Sequence, residues 1–325
     1  MFGSHLSVAG GLVNALIEAQ PLKLDTVQVF TKNQRQWTVP PLDPGAAKDW
    51  LTELERLKWQ QRTVSHASYL INLASPDDEL WRKSIAAMRD EIERCQALSI
   101  PFLVHHPGAH MGTGVEAGLR RIAKAYKLLY TQTRGYGVVT CLENTAGGGS
   151  TLGRSFEELA QLKAMIEEEA GADAAGRVGF CIDSCHALAA GYDIADTGAG
   201  DGSGTRRTVA QGEALGTAML EELDRVCGLE HIRVLHLNDS LGARGSHLDR
   251  HAHIGQGRVS IGAFAAMVNH PRLRGVPMIL ETPKGEDPSG RAWDAVNLGK
   301  LTRLTRRGSA REKPDEVQTR RPAAR

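Results

Sequence analysis

Short apolar runs rich in β-branched residues alternate along the chain with longer stretches whose apolar positions recur at helical spacing. The strand-like runs cover residues 2–5, 26–30, 62–65, 101–105, 138–142, 178–182, 232–235 and 276–280. The helical stretches include residues 46–58, 80–98, 118–129 and 156–169. Alternation of this kind predicts βαβ units and a parallel sheet. Eight units predict a (β/α)8 TIM barrel, with a doubly wound open sheet as the alternative.

Two segments interrupt this pattern. Residues 196–212 are rich in glycine and include Arg206 and Arg207, which predicts a flexible loop between the sixth and seventh strands. From residue 308 onward no apolar periodicity remains. We therefore expect a single catalytic barrel over residues 1–307 and a disordered basic tail over residues 308–325.

Charge is distributed unevenly between the tail and the body. The net charge is +1, but the last 25 of the 325 residues hold eight basic and three acidic side chains. The first 300 residues therefore carry a net charge of −4. If such a body binds nucleic acid, it needs another source of positive charge, and a metal ion could supply it.

Composition also narrows the class of protein. Hydrophobic residues make up 41% of the chain, enough for a large core and against general disorder. No apolar window is long enough to predict a membrane span, and residues 1–11 do not resemble a secretory signal. The five cysteines are scattered, which favours a reducing, cytoplasmic location over a disulfide framework.

The C-terminal ends of the predicted strands carry the candidate chemistry. Six of the eight strands end on a side chain that can bind a metal: His66, His106, Glu143, Asp183, His236 and Glu281. In a barrel these strand ends converge on one mouth, where catalytic groups lie. Burial of so many polar and charged groups together is costly unless ions pair them. The pattern therefore predicts a metal site built from around the whole barrel.

Two further segments add possible ligands. His186 follows Asp183 by three residues. The loop after the seventh strand places His247, Asp249, His251 and His253 at alternate positions, and spacing alone does not choose among them. Imidazole and carboxylate without thiolate suit catalytic Zn²⁺ or Mn²⁺. The number of candidates fits two or three ions.

Two loops on the same predicted face have side chains suited to DNA. Residues 31–37 read TKNQRQW and residues 68–72 read SYLIN. Arginine, asparagine and glutamine can contact phosphates or groove edges, whereas tyrosine and leucine can wedge between bases. Residues 144–150 are glycine-rich but lack the ending of a phosphate-binding loop, so they are interpreted as a flexible connection.

In its ordered motifs the chain resembles endonuclease IV, the metal-dependent apurinic/apyrimidinic endonucleases of base-excision repair. The matching segments are GSHLSVAGG (3–11), FTKNQRQW (30–37), SHASYLINL (65–73), HHPGAH (105–110), LENTAGGGS (142–150), CIDSCHALAAGYD (181–193), LHLNDS (235–240), DRHAHIGQG (249–257) and ILETP (279–283). They occur in the family's order, and the likeness extends from residue 1 to about residue 306.

This resemblance implies a barrel of the xylose-isomerase-like superfamily that holds three zinc ions, with Mn²⁺ possible at one position. By motif, one ion would be bound by His66, His106 and Glu143. A second would take the bridging Glu143 with Asp183, His236 and Glu281. A third would take His186, Asp249 and His251, which leaves His247 and His253 as neighbours. Three ions against four carboxylates would make the site electropositive.

The resemblance further implies cleavage of duplex DNA on the 5′ side of an abasic site by a metal-bound hydroxide, with Glu143 bridging two ions. The products would be a 3′-hydroxyl and a 5′-deoxyribose phosphate, and trimming of 3′-blocked ends is also expected. The residues that penetrate DNA would be Arg35, Tyr69 and Leu70. We expect a monomer without membrane association.

Two departures from the family pattern stand out, and neither removes a ligand. Ala67 follows His66 where relatives often have aspartate, and Gln256 stands where glutamate is common. A metal-dependent sugar isomerase or epimerase on a related barrel is the main alternative function. The histidine-rich ligand set and the TKNQRQW loop disfavour it, and the complete ligand set disfavours a catalytically silent DNA-damage binder.

Overall fold

The computed structural model describes residues 1–197 and 206–305. The predicted tail, residues 308–325, lies outside the described residues, as does the centre of the glycine-rich segment, residues 198–205.

Eight parallel strands close into a barrel, which confirms the predicted fold. The barrel strands are β1 (Phe2–His5), β2 (Thr26–Val29), β3 (Val64–His66), β4 (Phe102–His105), β5 (Val139–Glu143), β6 (Val178–Asp183), β7 (Ile232–His236) and β10 (Met278–Leu280). The order around the barrel is β1-β10-β7-β6-β5-β4-β3-β2. Two short strands, β8 (Asp239–Ser240) and β9 (His251–Ala252), form an antiparallel hairpin after β7.

Several predicted strand boundaries were wrong by one or two residues. Pro101 and Pro277 have no N–H to donate, and the adjacent strands begin one residue later, at Phe102 and Met278. The third strand begins at Val64 rather than at residue 62. There the Arg62 carbonyl instead accepts a hydrogen bond from the Thr26 hydroxyl, at 2.6 Å.

Helices surround the barrel: α1 (Val13–Ala19), α2 (Pro44–Leu57), α3 (Asp78–Ala97), α4 (Val115–Gln132), α5 (Phe156–Ala170), α6 (Ser184–Ala190), α7 (Val209–Cys227), α8 (Ile261–Asn269) and α9 (Trp293–Leu304). Short 3-10 turns lie at Gly171–Ala174, Leu229–His231 and Pro271–Leu273. Polar caps determine several starts, since Asp43, Asp77 and Ser155 each accept a hydrogen bond from a first-turn backbone N–H.

One boundary of the glycine-rich segment needs correction. Residues 209–212 are not loop, because α7 begins at Val209. The Thr208 side chain accepts a hydrogen bond from the Gln211 backbone N–H, and the Gln211 side chain accepts one from the Thr208 backbone N–H. This reciprocal capping box starts the helix. Arg206 pairs with Asp196 at 3.2 Å, which ties the described ends of this segment together.

The barrel interior contains an apolar layer, called here the inner layer. It consists of six fully buried side chains, one from each of six strands: Val64, Val104, Cys141, Cys181, Val234 and Ile279. The remaining core lies mostly between the barrel and its helices. The inner layer therefore fills the barrel interior beneath its mouth with apolar side chains.

The five cysteines are all buried, and none of them forms a disulfide bond in the structure. Among the described helices, none combines the length and apolarity that crossing a membrane requires.

Candidate metal centre

Glu143, the last residue of β5, lies at the centre of the barrel mouth. Its side chain is 1% exposed. One carboxylate oxygen, Oε2, is 3.1 Å from His66 Nε2 and 3.3 Å from His106 Nε2. The other, Oε1, is 2.9 Å from His236 Nδ1. The two oxygens therefore face different groups of imidazoles, an arrangement suited to a carboxylate shared between two cations.

A second group adjoins Glu143 on the strands that follow it. His236 Nδ1 lies 3.1 Å from Glu281 Oε2 and 3.9 Å from Asp183 Oδ2. Asn238 orients both acids, donating to Asp183 Oδ2 at 2.6 Å and to Glu281 Oε2 at 3.4 Å. Potential ligand atoms of Glu143, Asp183, His236 and Glu281 all lie within 4.8 Å of one another. That spacing suits one cation shared by all four.

A third group forms where α6 meets the β8–β9 hairpin. Asp249 Oδ1 lies 3.1 Å from His186 Nε2 and 3.4 Å from His251 Nε2. Asp183 adjoins this group as well, since its Oδ2 is 3.6 Å from His251 Nε2. Both imidazole Nε2 atoms are buried and find no hydrogen-bond partner of suitable geometry within residues 1–197 and 206–305. Buried polar atoms in this state fit a bound cation.

Backbone carbonyls select the tautomer of three of these histidines. The Nδ1 atoms of His66, His186 and His251 lie 2.8, 2.9 and 3.1 Å from carbonyl oxygens. A carbonyl can only accept a hydrogen bond, so Nδ1 carries a proton and Nε2 is the nitrogen whose lone pair is available to a metal in the mouth. This outer hydrogen bond is typical of histidines that bind metals. The described residues therefore fit a group of metal ions.

The structure separates the four alternating candidates of the hairpin loop. His247 Nδ1 bonds the Ala146 carbonyl at 2.8 Å. His253 stacks on Trp293 with ring centroids 3.7 Å apart and lies 3.1 Å from Asn297 Nδ2. These two histidines have other partners, whereas Asp249 and His251 face His186.

Electrostatics of the mouth also favour bound positive charge. Burial raises the pKa of the Glu143 carboxyl, but His236 and His106 outweigh it and hold that pKa well below its usual value. Burial likewise lowers the pKa of His186, but Asp183, Asp249 and Glu143 raise it to about 10. Without metal the buried acids thus favour a proton on His186, and a metal ion can take over that positive charge.

Sequence reasoning missed Gln28, in the middle of β2. Its Nε2 donates to Glu281 Oε1 at 2.6 Å, so its Oε1 must accept from His236 Nε2 at 2.8 Å. That pair of bonds turns His236 Nδ1 towards the acids of the mouth. A signal was available: Gln28 is the only polar residue within the apolar run VQVF, and it is fully buried.

The loops predicted to contact DNA lie at the rim of the same mouth. Residues 31–37 are called here the arginine loop and residues 68–72 the tyrosine loop. Arg35 is exposed, Leu70 is half-buried and Tyr69 is 60% exposed. The Tyr69 ring lies 5.2 Å from the His66 ring. A cavity of about 360 Å³ beside it is lined by residues that include Tyr69, His106, His186 and Asp249.

Residues 16–298 match the family model described as a xylose isomerase-like TIM barrel. The chain is 46% identical over 308 residues to a probable endonuclease 4 of Chloroflexus aurantiacus, covering 93% of this chain and 97% of that protein. It is 40% identical over 317 residues to a probable endonuclease 4 of Geobacter sulfurreducens, with 96% and 97% covered.

Solved structures also match the chain over most of its length. The crystal structure of endonuclease IV from Thermus thermophilus matches with a TM-score of 0.74 at 37% identity, covering 93% of this chain and 98% of that one. A D-tagatose 3-epimerase-like protein matches with a TM-score of 0.63 at 19% identity, which shows the fold alone. The chain belongs to the endonuclease IV family, and the enzyme class expected from its motifs, a metal-dependent AP endonuclease, is confirmed.

Proposed function

We propose that this protein hydrolyses the phosphodiester 5′ to abasic sites in duplex DNA with three zinc ions, leaving a 3′-hydroxyl and a 5′-deoxyribose phosphate. We also propose that it trims 3′-blocked ends. The observation that carries the proposal is the arrangement of the mouth, where three groups of imidazoles and acids share Glu143 and Asp183 beneath the arginine and tyrosine loops.

Each residue of the mouth has a definite task in this proposal. His66 and His106 would hold one ion with Glu143, while Asp183, His236 and Glu281 would hold a second with the same Glu143. His186, Asp249 and His251 would hold the third. When bound, such ions supply a nucleophilic water at neutral pH and stabilise charge on the phosphate and the leaving oxygen.

Other side chains of the mouth position these ligands and shape access. Asn238 and Gln28 hold the carboxylates of Asp183 and Glu281 in fixed orientations. The Tyr69 ring covers the side of the site formed by His66 and His106, with centroid distances of 5.2 and 5.9 Å. Ordered ligands and a partly covered site reduce the reorganisation needed when charge develops on the substrate.

In this proposal, the side chains at the rim of the mouth determine which DNA substrate is bound. An abasic nucleotide has no base to unstack, so its displacement from the duplex costs less than that of a normal nucleotide. Tyr69 and Leu70 would fill the gap in the duplex, and Arg35 would contact its backbone.

The decisive experiment compares matched duplexes with and without one abasic site. We expect incision only at the abasic site, loss of incision after zinc chelation, and recovery when zinc is restored. A polymerase should extend the new 3′ end directly, because it carries a hydroxyl. Incision of the intact duplex at the same rate would contradict the proposed substrate, and fewer than three ions per chain after zinc reconstitution would contradict the trinuclear site.

The domain organisation is proposed from the sequence. We propose that residues 1–307 form the catalytic unit, that the protein is a cytoplasmic monomer, and that the basic residues of 308–325 add salt-sensitive attraction to DNA. A chain truncated after residue 307 should incise saturating substrate at the full rate. Its DNA binding should depend less steeply on salt concentration. Identical salt dependence would remove the role proposed for the tail.

A further inference from the structure

A buried carboxylate outside the three candidate ligand groups lies behind the arginine and tyrosine loops. Glu91, on α3, is 1% exposed. Its Oε2 accepts a hydrogen bond from the Thr31 hydroxyl at 2.8 Å, at the base of the arginine loop. Its Oε1 accepts from the Ser68 backbone N–H at 3.2 Å, in the tyrosine loop. One side chain thus contacts both loops.

Further bonds extend this link. Lys32 is buried and lies 3.5 Å from Glu91 Oε1 and 2.6 Å from Asp90 Oδ2, so its charge is enclosed by acids of α3. The Ser68 hydroxyl donates to the Gln34 carbonyl at 2.7 Å, which joins the loops directly. The bases of both loops are therefore held against one helix.

The tips of the same loops are exposed, in contrast to their bases. Arg35 and Tyr69 are exposed, and each lies within four residues of a residue bonded to Glu91. A flexible tip would lose conformational entropy on binding, whereas a tip on a rigid base loses less. Glu91 is placed to reduce that loss for both loops at once.

We propose that Glu91 is a positioning residue that couples the arginine and tyrosine loops into one preformed DNA-binding unit. This inference rests on the proposed function, because it concerns how abasic duplex is bound. The contacts of Glu91 described above are with the two loops and not with the candidate metal ligands. We therefore expect Glu91 to affect DNA affinity and to leave metal content and the chemical step unchanged.

The test replaces Glu91 by glutamine, which keeps the shape of the side chain and removes its charge and one acceptor. We expect the affinity for abasic duplex to fall roughly tenfold, the size expected for loss of a hydrogen bond to a charged group. KM should rise by the same factor, while kcat at saturating DNA and zinc content stay at wild-type values. Unchanged affinity, or a fall in kcat without a rise in KM, would overturn the inference.

A milder variant serves if Glu91→Gln does not fold. Thr31→Val removes only the hydroxyl that reaches Glu91 from the arginine loop. If the loops form one unit, Tyr69→Ala should weaken binding less in the Thr31→Val protein than in the wild type. Strictly additive losses would mean that the loops act independently, and the coupling would then be refuted.

Thr140→Val is a matched control, because it removes another buried hydroxyl at the opposite end of the barrel. Thr140 bonds Tyr130 Oη at 2.5 Å in a region remote from the loops. It should lower stability without changing DNA affinity, and an equal loss of affinity would assign the Thr31 effect to general destabilisation. If wild-type protein does not distinguish abasic from intact duplex, the proposed function fails; if it does and the Glu91 variants bind normally, only this inference fails.

Discussion

Two successive layers of the barrel interior have opposite chemistry, although the same six strands supply both. The inner layer is formed by Val64, Val104, Cys141, Cys181, Val234 and Ile279. The mouth layer is formed by the residues two positions later on each strand or just past it: His66, His106, Glu143, Asp183, His236 and Glu281. Residues two apart on a strand face the same way, so the second set lies directly above the first.

On each of these strands, a residue that stabilises the fold and a candidate functional residue are therefore only two positions apart. Apolar side chains of the inner layer stabilise the fold in proportion to the surface they bury. The mouth layer destabilises the metal-free fold, because burying acids and imidazoles costs free energy unless a cation pairs them. The apolar inner layer also lowers the local dielectric constant, which strengthens the electrostatic interactions of charges in the mouth layer above it.

The largest expected effect comes from removing the shared acid of the mouth layer. Glu143→Ala should lose zinc from two positions and reduce incision on the order of a thousandfold or more, since metal ions contribute several kcal/mol to such reactions. Zinc should also raise the melting temperature of the wild type more than that of the variant. Elemental analysis, incision rates and thermal melts check this, and near-normal incision would show that Glu143 does not bridge.

A matched pair of substitutions on β10 tests the contrast between layers directly. Ile279→Ala, in the inner layer, should lower the free energy of unfolding by about 2–5 kcal/mol and leave zinc content intact. Glu281→Ala, two residues later, should lose zinc and incision with a smaller loss of stability in the metal-free protein. Denaturant unfolding with and without zinc measures both, and the same pattern in both variants would abolish the distinction between layers.

Gln28 tests how far the mouth layer depends on its supporting side chains. Gln28→Leu keeps the approximate volume but removes both bonds that orient Glu281 and His236. Loss of an outer-shell partner typically weakens metal affinity by about 10–100-fold, so zinc should be lost at lower chelator concentrations. Gln28→Asn is the control, because it keeps the polar amide group and shortens the side chain. Wild-type zinc retention by the leucine variant would assign Gln28 a packing role.

The layers explain why so much of the barrel could be predicted from sequence. Alternating strand and helix patterns determine the barrel, and the strand ends then place six ligand candidates at one mouth. The residues themselves did not decide among His247, Asp249, His251 and His253, because an extended loop presents all four alike. The family resemblance named Asp249 and His251 as ligands, and the structure brings these two to His186 while the other two histidines have different partners.

Supporting residues were harder to predict because their roles depend on long-range contacts. Gln28 lies 253 residues from Glu281 in sequence, and Glu91 lies 60 residues from Thr31. Periodicity records that such a residue is buried but not which partner it meets. A polar side chain inside an apolar run, such as Gln28 in β2, is the one local sign that burial must be compensated by a distant group.

The smallest expected effects lie above both layers, at the exposed rim. Arg35→Ala and Tyr69→Ala should each weaken binding of abasic duplex by about 1–3 kcal/mol, the range for stacking contacts with nucleic acid. Neither side chain belongs to the three ligand groups, so zinc content should be unchanged. Arg35→Lys keeps the charge without the planar fork and should recover part of the loss if phosphate contact dominates. Binding titrations on abasic and intact duplexes, together with elemental analysis, measure these effects. If the alanine variants instead lost zinc, the rim would be part of the metal centre, and the boundary between the mouth layer and the rim would be wrong.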